Sequence, residues 1–428
     1  MLRSMKPTCY AIDFGTTHSL LAPVKAGDDS LLPLKIDPTA LDPTVLKSVL
    51  LFAENSQVFF GDQAIKEYAE RAGEGRLLRS IKKFLPRKSF ISTQIHNKKY
   101  SLADLISRFL REMKQRADQE LGIEVDQVVL GRPAKFSQKA NEDQLAQNRL
   151  EAAAKQAGFK EIAFFPEPLA AAFDFRSELQ EEKIVLVVDL GGGTSDFTVI
   201  KLGPRAFQPE DVLSLGGVSI AGDVLDGNIM REGVAPHFGS QVQYQLPMST
   251  NILTMPLELK HKLASPADIT LLSRSELLRY IREIQECTLQ PKDSEAIDRL
   301  FILVEDNLGF HVFERIEKCK IEVCGSGTGT IELRYPGIEF HHELNEDRFE
   351  ELIDDSISKI LGEMELTLKG AGLSHSQIDL ICCTGGTSKV PMIQTALKKR
   401  FGEHKIRSTQ MFHSVIRGLA ERAKEVYF

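Results

Sequence analysis

The chain has no excess of basic residues, since 53 Lys and Arg stand against 60 Asp and Glu and give a formal net charge of −7. Affinity for a phosphate backbone needs surplus positive charge, so this balance argues against a general nucleic-acid binder. No apolar run approaches the length that spans a bilayer, and none follows the basic start as a signal peptide would require. We therefore expect neither nucleic acid nor a membrane as a partner.

The six cysteines show no arrangement typical of metal binding or redox chemistry. None forms a Cys-X-X-Cys pair, and no group of Cys and His has the spacing of a zinc site. Unpaired thiols in a chain of this length are typical of a reducing compartment. The sequence therefore predicts a cytoplasmic location.

Two common phosphate-binding motifs are also absent. A P-loop NTPase is excluded because no Gly-X4-Gly-Lys-Ser/Thr occurs anywhere in the chain. The glycine-rich residues 325–329 look superficially like a dinucleotide fingerprint. They lack the third glycine spacing and run into an alternating strand at residues 331–335, so we interpret them as a hairpin connection.

The length of 428 residues, of which 42% are hydrophobic, exceeds what one core usually supports and predicts two or three domains or two lobes. Apolar runs at residues 184–188 and 378–383 predict central strands. Apolar residues at three- and four-residue steps from Leu102 to Met113 predict an amphipathic helix. Strands that alternate with helices in this way indicate an α/β fold.

A repeated turn is the most informative feature of the sequence. Residues 11–17 and 187–194 both consist of an apolar strand, Asp, an apolar residue, Gly and Thr. Glycine lets backbone N–H groups approach an anion, and a carboxylate beside the turn can hold a cation that bridges phosphates. Two copies predict duplicated lobes that face each other. The alternative is that each copy is only a hairpin turn, and the presence of two copies in one chain argues against it.

Four segments together resemble the 70-kDa heat-shock (DnaK-type) chaperones. They are residues 13–19 and 189–196 for the two phosphate loops, 166–172 for the segment between them, and 385–391 for the adenosine element. The resemblance implies an actin-like ATPase fold, a ribonuclease H-like duplication with two lobes around a nucleotide cleft. Lobe I would comprise residues 1–182 and 405–428, and lobe II residues 183–404. Because no peptide-binding domain follows, the chain is most similar to the stand-alone YegD-type bacterial branch.

The resemblance implies that the protein binds ATP or ADP with Mg²⁺. Asp13, Glu167 and Asp189 would hold Mg²⁺, largely through water, and Asp196 would hold a monovalent cation such as K⁺ or position its loop. The residues implied in catalysis are Lys82, Glu167, Asp189 and Thr194. The residues implied in contacts with the nucleotide are Gly15, Thr16, Thr17, Gly191, Gly192, Gly193, Glu317, Lys320, Gly385 and Gly386.

Several of these residues also have a purely structural interpretation. Lys82 lies in a basic run that would serve equally well as a solvated surface or a patch for an acidic partner. Glu317 and Lys320 would form an ordinary helix-surface ion pair worth about 0.2–0.5 kcal/mol. Ile321 stands where the family has an arginine that stacks on adenine, so we expect weaker adenine affinity or selectivity.

The function implied is slow, Mg²⁺-dependent ATP hydrolysis by a chaperone-like protein, whose lobes close on the nucleotide and signal to an unidentified client or co-chaperone. Hydrolysis in such a site places water in line with the γ-phosphate and neutralises charge. The fold alone leaves three alternatives open: an actin-like filament, a small-molecule kinase and a nucleotide sensor with little or no hydrolysis. The kinase would need a substrate base that we cannot identify, and Ile321 favours the sensor.

Overall fold

The computed structural model describes residues 9–27, 31–71, 74–137, 139–176, 179–205, 208–408 and 413–428. Within these ranges the helices are α1 (Gly61–Glu70), α2 (Leu102–Leu121), α3 (Ala140–Ala157), α4 (Glu167–Arg176), α5 (Gly222–Ile229), α6 (Leu257–Leu263), α7 (Ser275–Glu286), α8 (Pro291–Glu305), α9 (Gly309–Ser326), α10 (Glu346–Gly370), α11 (Pro391–Phe401) and α12 (His413–Tyr427).

The strands in the same ranges are β1 (Cys9–Phe14), β2 (His18–Val24), β3 (Leu46–Lys47), β4 (Val49–Phe52), β5 (Val58–Phe60), β6 (Arg76–Arg79), β7 (Thr93–Ile95), β8 (Lys98–Tyr100), β9 (Gln127–Arg132), β10 (Glu161–Pro166), β11 (Lys183–Leu190), β12 (Ser195–Leu202), β13 (Val212–Val218), β14 (Gln243–Tyr244), β15 (Leu253–Thr254), β16 (Thr328–Tyr335), β17 (Ile338–Asn345), β18 (Leu380–Thr384) and β19 (Ile406–Ser408).

Two five-stranded sheets share one pattern of pairing. The first has the order β3-β2-β1-β9-β10 and the second the order β13-β12-β11-β18-β19. In each sheet the central strand pairs antiparallel with the strand that follows it and parallel with the strand on its other side. The order of elements along the chain is also repeated. In the first half α2, α3 and α4 alternate with β9 and β10, and in the second half α10, α11 and α12 alternate with β18 and β19. The predicted α/β duplication of the actin-like fold is therefore confirmed at the level of strand order.

Helices α4 and α12 pack against each other within a core to which strands of both sheets contribute. The contact is close because a Cβ added at Gly418 in α12 would lie 1.7 Å from the carbonyl oxygen of Ala170 in α4. Cys9 and Cys382 are buried in this core, which explains them as packing residues. Strands β1 and β11 both contribute residues to this core. Their carboxyl ends, where the two repeated turns begin, therefore belong to one packed structure.

The chain separates into two compact units. The first comprises Met1–Tyr68, Gly75–Gly222 and Ser358–Phe428 and contains both five-stranded sheets. The second comprises Ala69–Glu74 and Asp223–Ile357 and contains the β14–β15 and β16–β17 pairs. The lobe boundaries at residues 182 and 404 stay a prediction.

One local prediction from the sequence was wrong. Residues 325–329 are not a hairpin connection, because α9 continues to Ser326 and Gly327, at φ 80°, ends it just before β16. Strand β9 extends to Gly131 and Arg132, both of which pair with β10. In the described parts of the chain no helix is long and apolar enough to cross a bilayer.

Candidate functional site

The first turn joins β1 to β2 and follows Asp13. A Cβ added at Gly15 would lie 2.1 Å from the His18 carbonyl oxygen, so only glycine allows the chain to reverse this tightly. The Ser48 hydroxyl donates to the Gly15 carbonyl oxygen at 2.8 Å and lies 2.9 Å from the Ser19 hydroxyl. Ser48 thus stabilises the turn through a hydrogen bond. The sequence alone did not identify Ser48, because it lies far from the turn along the chain.

The second turn joins β11 to β12 and is closed by a hydrogen bond from the Gly191 N–H to the Thr194 carbonyl oxygen at 3.0 Å. The Gly191 carbonyl oxygen accepts from the Thr387 hydroxyl at 2.7 Å. A Cβ added at Gly385, whose φ is +78°, would lie 2.1 Å from the Leu190 carbonyl oxygen. Gly385 therefore packs directly against the second turn. The contact of Gly385 and Gly386 with adenosine stays a prediction.

The two turns contact each other. A Cβ added at Gly193 would lie 2.7 Å from the Thr16 hydroxyl oxygen and 3.1 Å from the Lys83 side chain. Both turns belong to the first compact unit, so this contact lies within one packed body. The motifs found separately in the sequence thus form one site, with Asp13 and Asp189 at the strand ends beside it.

Lys82 and Glu167 form an ion pair beside the turns. The Lys82 Nζ lies 2.6 Å from the Glu167 Oε1, and the two residues are only 7% and 9% exposed. Glu167 is the first residue of α4, while Lys82 lies on a short 3-10 turn, Ile81–Phe84. Lys82 is therefore not part of a solvated basic surface, which was its structural interpretation.

Four carboxylates influence one another at this site. Burial raises the pKa of Asp13 to about 7, with a further rise from the Glu167 charge and an opposing effect of Lys82. Burial, together with the charges of Asp196, Glu167 and Asp13, raises the pKa of Asp189 well above its usual range. Buried carboxylates that repel one another favour a cation, which would relieve both the desolvation and the repulsion.

Asp196 is the fourth carboxylate of this site. It is 2% exposed, and its Oδ1 accepts from the Ala134 N–H at 3.0 Å. Burial raises its pKa to about 7, although its hydrogen bonds with Thr194 and Ala134 favour the ionised form. Asp196 also stands directly opposite Asp189 in the β11–β12 ladder.

The donor set suits a hydrated cation better than one bound directly. Within the described residues no three His, Cys, Asp or Glu side chains lie close enough together to ligate a metal ion. Mg²⁺ usually keeps several waters and takes only one or two carboxylates from a protein. Mg²⁺ held through water by Asp13, Glu167 and Asp189 is compatible with this spacing, and their role as its ligands stays a prediction.

In the second unit, Glu317 and Lys320 lie one turn apart on α9, as predicted. The Lys320 Nζ is 2.7 Å from the Asp226 Oδ1, so its ion pair is with α5. Burial raises the pKa of Asp226 to about 6, against the lowering effect of Lys320. No local pattern in the sequence marks Asp226, because its partner Lys320 lies on another helix. Ile321 is 64% exposed beside them.

The paired sheets and the joined turns define a nucleotide-binding domain of the actin-like ATPase class. A family model described as "Hsp70 protein" matches residues 76–241 and 305–424, which is more than half of the chain. This protein belongs to the Hsp70 family.

Curated relatives match at low identity over almost the whole chain. The chaperone protein DnaK of Thermus thermophilus is 24% identical over 440 residues, covering 96% of this chain and 60% of the relative. The chaperone protein DnaK of Thermosipho melanesiensis is 25% identical over 429 residues, covering 99% of this chain and 60% of the relative. The chain thus spans about 60% of the length of these relatives.

Proposed function

We propose that this protein binds ATP with Mg²⁺ at the two joined turns and hydrolyses it slowly. The observation that carries the proposal is the contact of Gly193 with Thr16, which brings the two phosphate-type turns into one site. The buried Lys82–Glu167 pair and the carboxylates with raised pKa values support the same chemistry. Membership of the Hsp70 family supports ATP as the nucleotide.

Each residue of the site has a distinct part in the proposal. The hydroxyls of Thr16, Thr17 and Thr194 and the glycine N–H groups donate to phosphate oxygens. Mg²⁺, held through water by the carboxylates, supplies charge neutralisation when it is bound. The Lys82 ammonium is oriented by Glu167. It stabilises the negative charge that develops as water attacks the γ-phosphate. Positioning and electrostatics account for the reaction, with no covalent step on the protein.

The adenosine contacts are the second part of the proposal. Glu317 and Lys320 would contact the adenosine, with Gly385 and Gly386 packing on it, and Asp196 would hold K⁺ or its own loop. The pair of Lys320 with Asp226 supports a fixed direction for the Lys320 ammonium. Exposed Ile321 supports an apolar contact with the base, and hence modest affinity.

We further propose that ATP binding and hydrolysis alter a conformation that a client or co-chaperone recognises in the cytoplasm. The protein would belong to the YegD-type branch of the family. Neither nucleic acid nor a membrane is a partner in this proposal, in keeping with the net charge of −7. A nucleotide sensor with little hydrolysis is the second candidate, because Ile321 offers no stacking cation.

The proposal is tested by calorimetry of ATP binding with and without Mg²⁺, followed by steady-state hydrolysis. Lys82→Ala should keep ATP binding and lose turnover by about 10²–10³-fold, because it removes one charge from the transition state. Lys160→Ala is the matched control, since that lysine is 79% exposed and pairs with Asp126. Absence of Mg²⁺-dependent ATP binding in the wild type would show that the proposal is wrong. Binding with no single-turnover hydrolysis would favour the sensor.

A further inference from the structure

The segment that follows Lys82 is held by one arginine from another element. The Arg149 guanidinium on α3 donates to the carbonyl oxygens of Leu85 at 2.9 Å, Arg87 at 2.9 Å and Phe90 at 2.8 Å, and more weakly to that of Phe84 at 3.3 Å. These carbonyls converge because residues 84–90 form tight turns, with N–H groups of Arg87 and Phe90 bonded three residues back.

Residues 85–90 lack the ladder bonds of a helix or strand. Leu85 is fully buried in the core that α3 shares with the first sheet, and Phe84 and Phe90 pack against that core. The rings of Phe84 and Phe90 lie 5.3 Å apart, and the Arg87 guanidinium lies 4.8 Å from the Phe84 ring. These contacts close the segment on itself. Arg149 adds the hydrogen bonds that tie the carbonyl groups of the segment to α3.

The turn that carries Lys82 is strained on one side and tied on the other. Ser80, immediately before it, has φ 54°, a left-handed conformation that is costly for a residue with a side chain. The Leu85 N–H donates to the Lys82 carbonyl oxygen at 3.1 Å, and the Leu85 carbonyl accepts from Arg149. A displacement of Leu85 would therefore pass directly to the Lys82 backbone.

We propose that Arg149 is a positioning residue for Lys82, holding its 3-10 turn so that the ammonium stays on Glu167 at the phosphate turns. This inference rests on the proposed function, because it assumes that Lys82 acts in hydrolysis. A planar guanidinium with five fixed donors can serve several convergent carbonyls, whereas an ammonium cannot match that fork. Sequence spacing gives no hint of this role, since Arg149 lies in an ordinary polar stretch of α3.

The test compares kcat and KM for ATP in Arg149→Ala and Arg149→Lys. Misplacement of a reacting group by about 1 Å costs about a hundredfold in rate, so kcat should fall about tenfold to a hundredfold while KM changes little. Arg149→Lys should have a kcat between those of Arg149→Ala and the wild type. If the alanine variant does not fold, Arg149→Lys is compared with the wild type in its place. Arg111→Ala is the matched control, because Arg111 also donates to a backbone carbonyl of α3, that of Gln156.

A double-variant cycle separates positioning from general loss of structure. If Arg149 acts through Lys82, Arg149→Ala in the Lys82→Ala background should cause no further loss of single-turnover rate. An equal loss in both backgrounds, or a wild-type kcat in the Arg149 variants, overturns the inference.

A second readout does not depend on hydrolysis. Amide hydrogen exchange of residues 84–90 should become faster in the Arg149 variants and not in Arg111→Ala, because only the former release the carbonyls. Unchanged exchange would also overturn the inference. If exchange becomes faster in the Arg149 variants but the wild type does not hydrolyse ATP, the result would count against the proposed function alone.

Discussion

Gly193→Ala tests the contact between the two turns with a single added carbon. The new Cβ would lie 2.7 Å from the Thr16 hydroxyl oxygen, whereas ordinary contact begins at 3.4 Å. The turns must therefore separate by roughly 0.7 Å, because Thr16 has a short side chain that cannot move aside. The φ of Gly193 is not positive, so alanine brings no backbone strain of its own.

The expected cost follows from that displacement. Overpacking should lower the free energy of unfolding by about 1–3 kcal/mol. A shift of this size at a reacting centre should lower kcat/KM for ATP at least about tenfold. Steady-state hydrolysis and thermal unfolding without nucleotide measure the two effects.

Two glycines provide matched comparisons. Gly191→Ala, in the same turn, places its Cβ 3.7 Å from the Thr194 carbonyl oxygen, so its loss should be clearly smaller. Gly362→Ala on α10 meets nothing within 4 Å and should leave hydrolysis unchanged while stabilising the helix by about 0.5–1 kcal/mol. Wild-type hydrolysis and stability in Gly193→Ala would refute the reasoning, since the turns would then not be held in contact.

Three further substitutions test the packing and the buried charges. Gly418→Ala should lower the free energy of unfolding by at least about 3 kcal/mol, because its Cβ would meet the Ala170 carbonyl oxygen at 1.7 Å; denaturant titration measures this. Asp226→Ala should cost about 3–5 kcal/mol in the same assay, because it leaves the Lys320 ammonium buried without its partner. Asp196→Asn should stabilise the nucleotide-free protein at pH 8, by at most about 4 kcal/mol, because the folded-state pKa of about 7 lies above the ordinary 3.8.

The sign of the Asp196 effect is set by proton binding. Between pH 4 and 7 the folded state holds the Asp196 proton more tightly than the unfolded state, so this group lowers stability as pH rises through that window. Asparagine at this position removes this dependence of stability on pH. Thermal unfolding without nucleotide from pH 5 to pH 8 should therefore show that the stability of the variant changes less with pH than that of the wild type. Asp126→Asn is the control, because its pKa is lowered by a hydrogen bond from Lys160 and the substitution should not stabilise.

Other results would contradict these three predictions. A Gly418→Ala variant of wild-type stability would mean that α4 and α12 do not approach closely. The ion pair does not set the stability if Asp226→Ala keeps the wild-type free energy of unfolding. The same conclusion holds if adding Lys320→Met to Asp226→Ala restores none of the lost stability. An unchanged pH profile in Asp196→Asn would show that the carboxylate is ionised without penalty.

The turns were predictable because their chemistry is local. Asp, Gly and Thr at fixed spacing after an apolar strand need no distant partner to form a tight turn, and Gly15 shows why the glycine is required. The amphipathic period from Leu102 to Met113 likewise predicted α2, whose apolar face is buried. The Arg348 N–H donates to the Asn345 Oδ1 at 2.9 Å, so the start of α10 likewise depends on neighbouring residues.

The supporting contacts were not predictable, because each joins residues far apart in the chain. Ser48 braces the first turn from 33 residues away and Thr387 braces the second from 196 residues away. The glycine-rich connection before β16 was misread because a local pattern cannot show that Gly327 ends a helix rather than turns a hairpin. Asp226 was missed because its partner, Lys320, lies on another helix.

By itself the sequence determined that this protein carries two copies of a phosphate-type turn on an α/β scaffold, because strand periodicity and glycine turns are properties of neighbouring residues. Only the tertiary structure decided that the copies meet, with Gly193 against Thr16, and that Lys82 is buried on Glu167 rather than exposed in a basic run. The physical reason is that burial and charge pairing depend on which distant strands share a sheet and which helices share a core. The order of residues along the chain does not state either one.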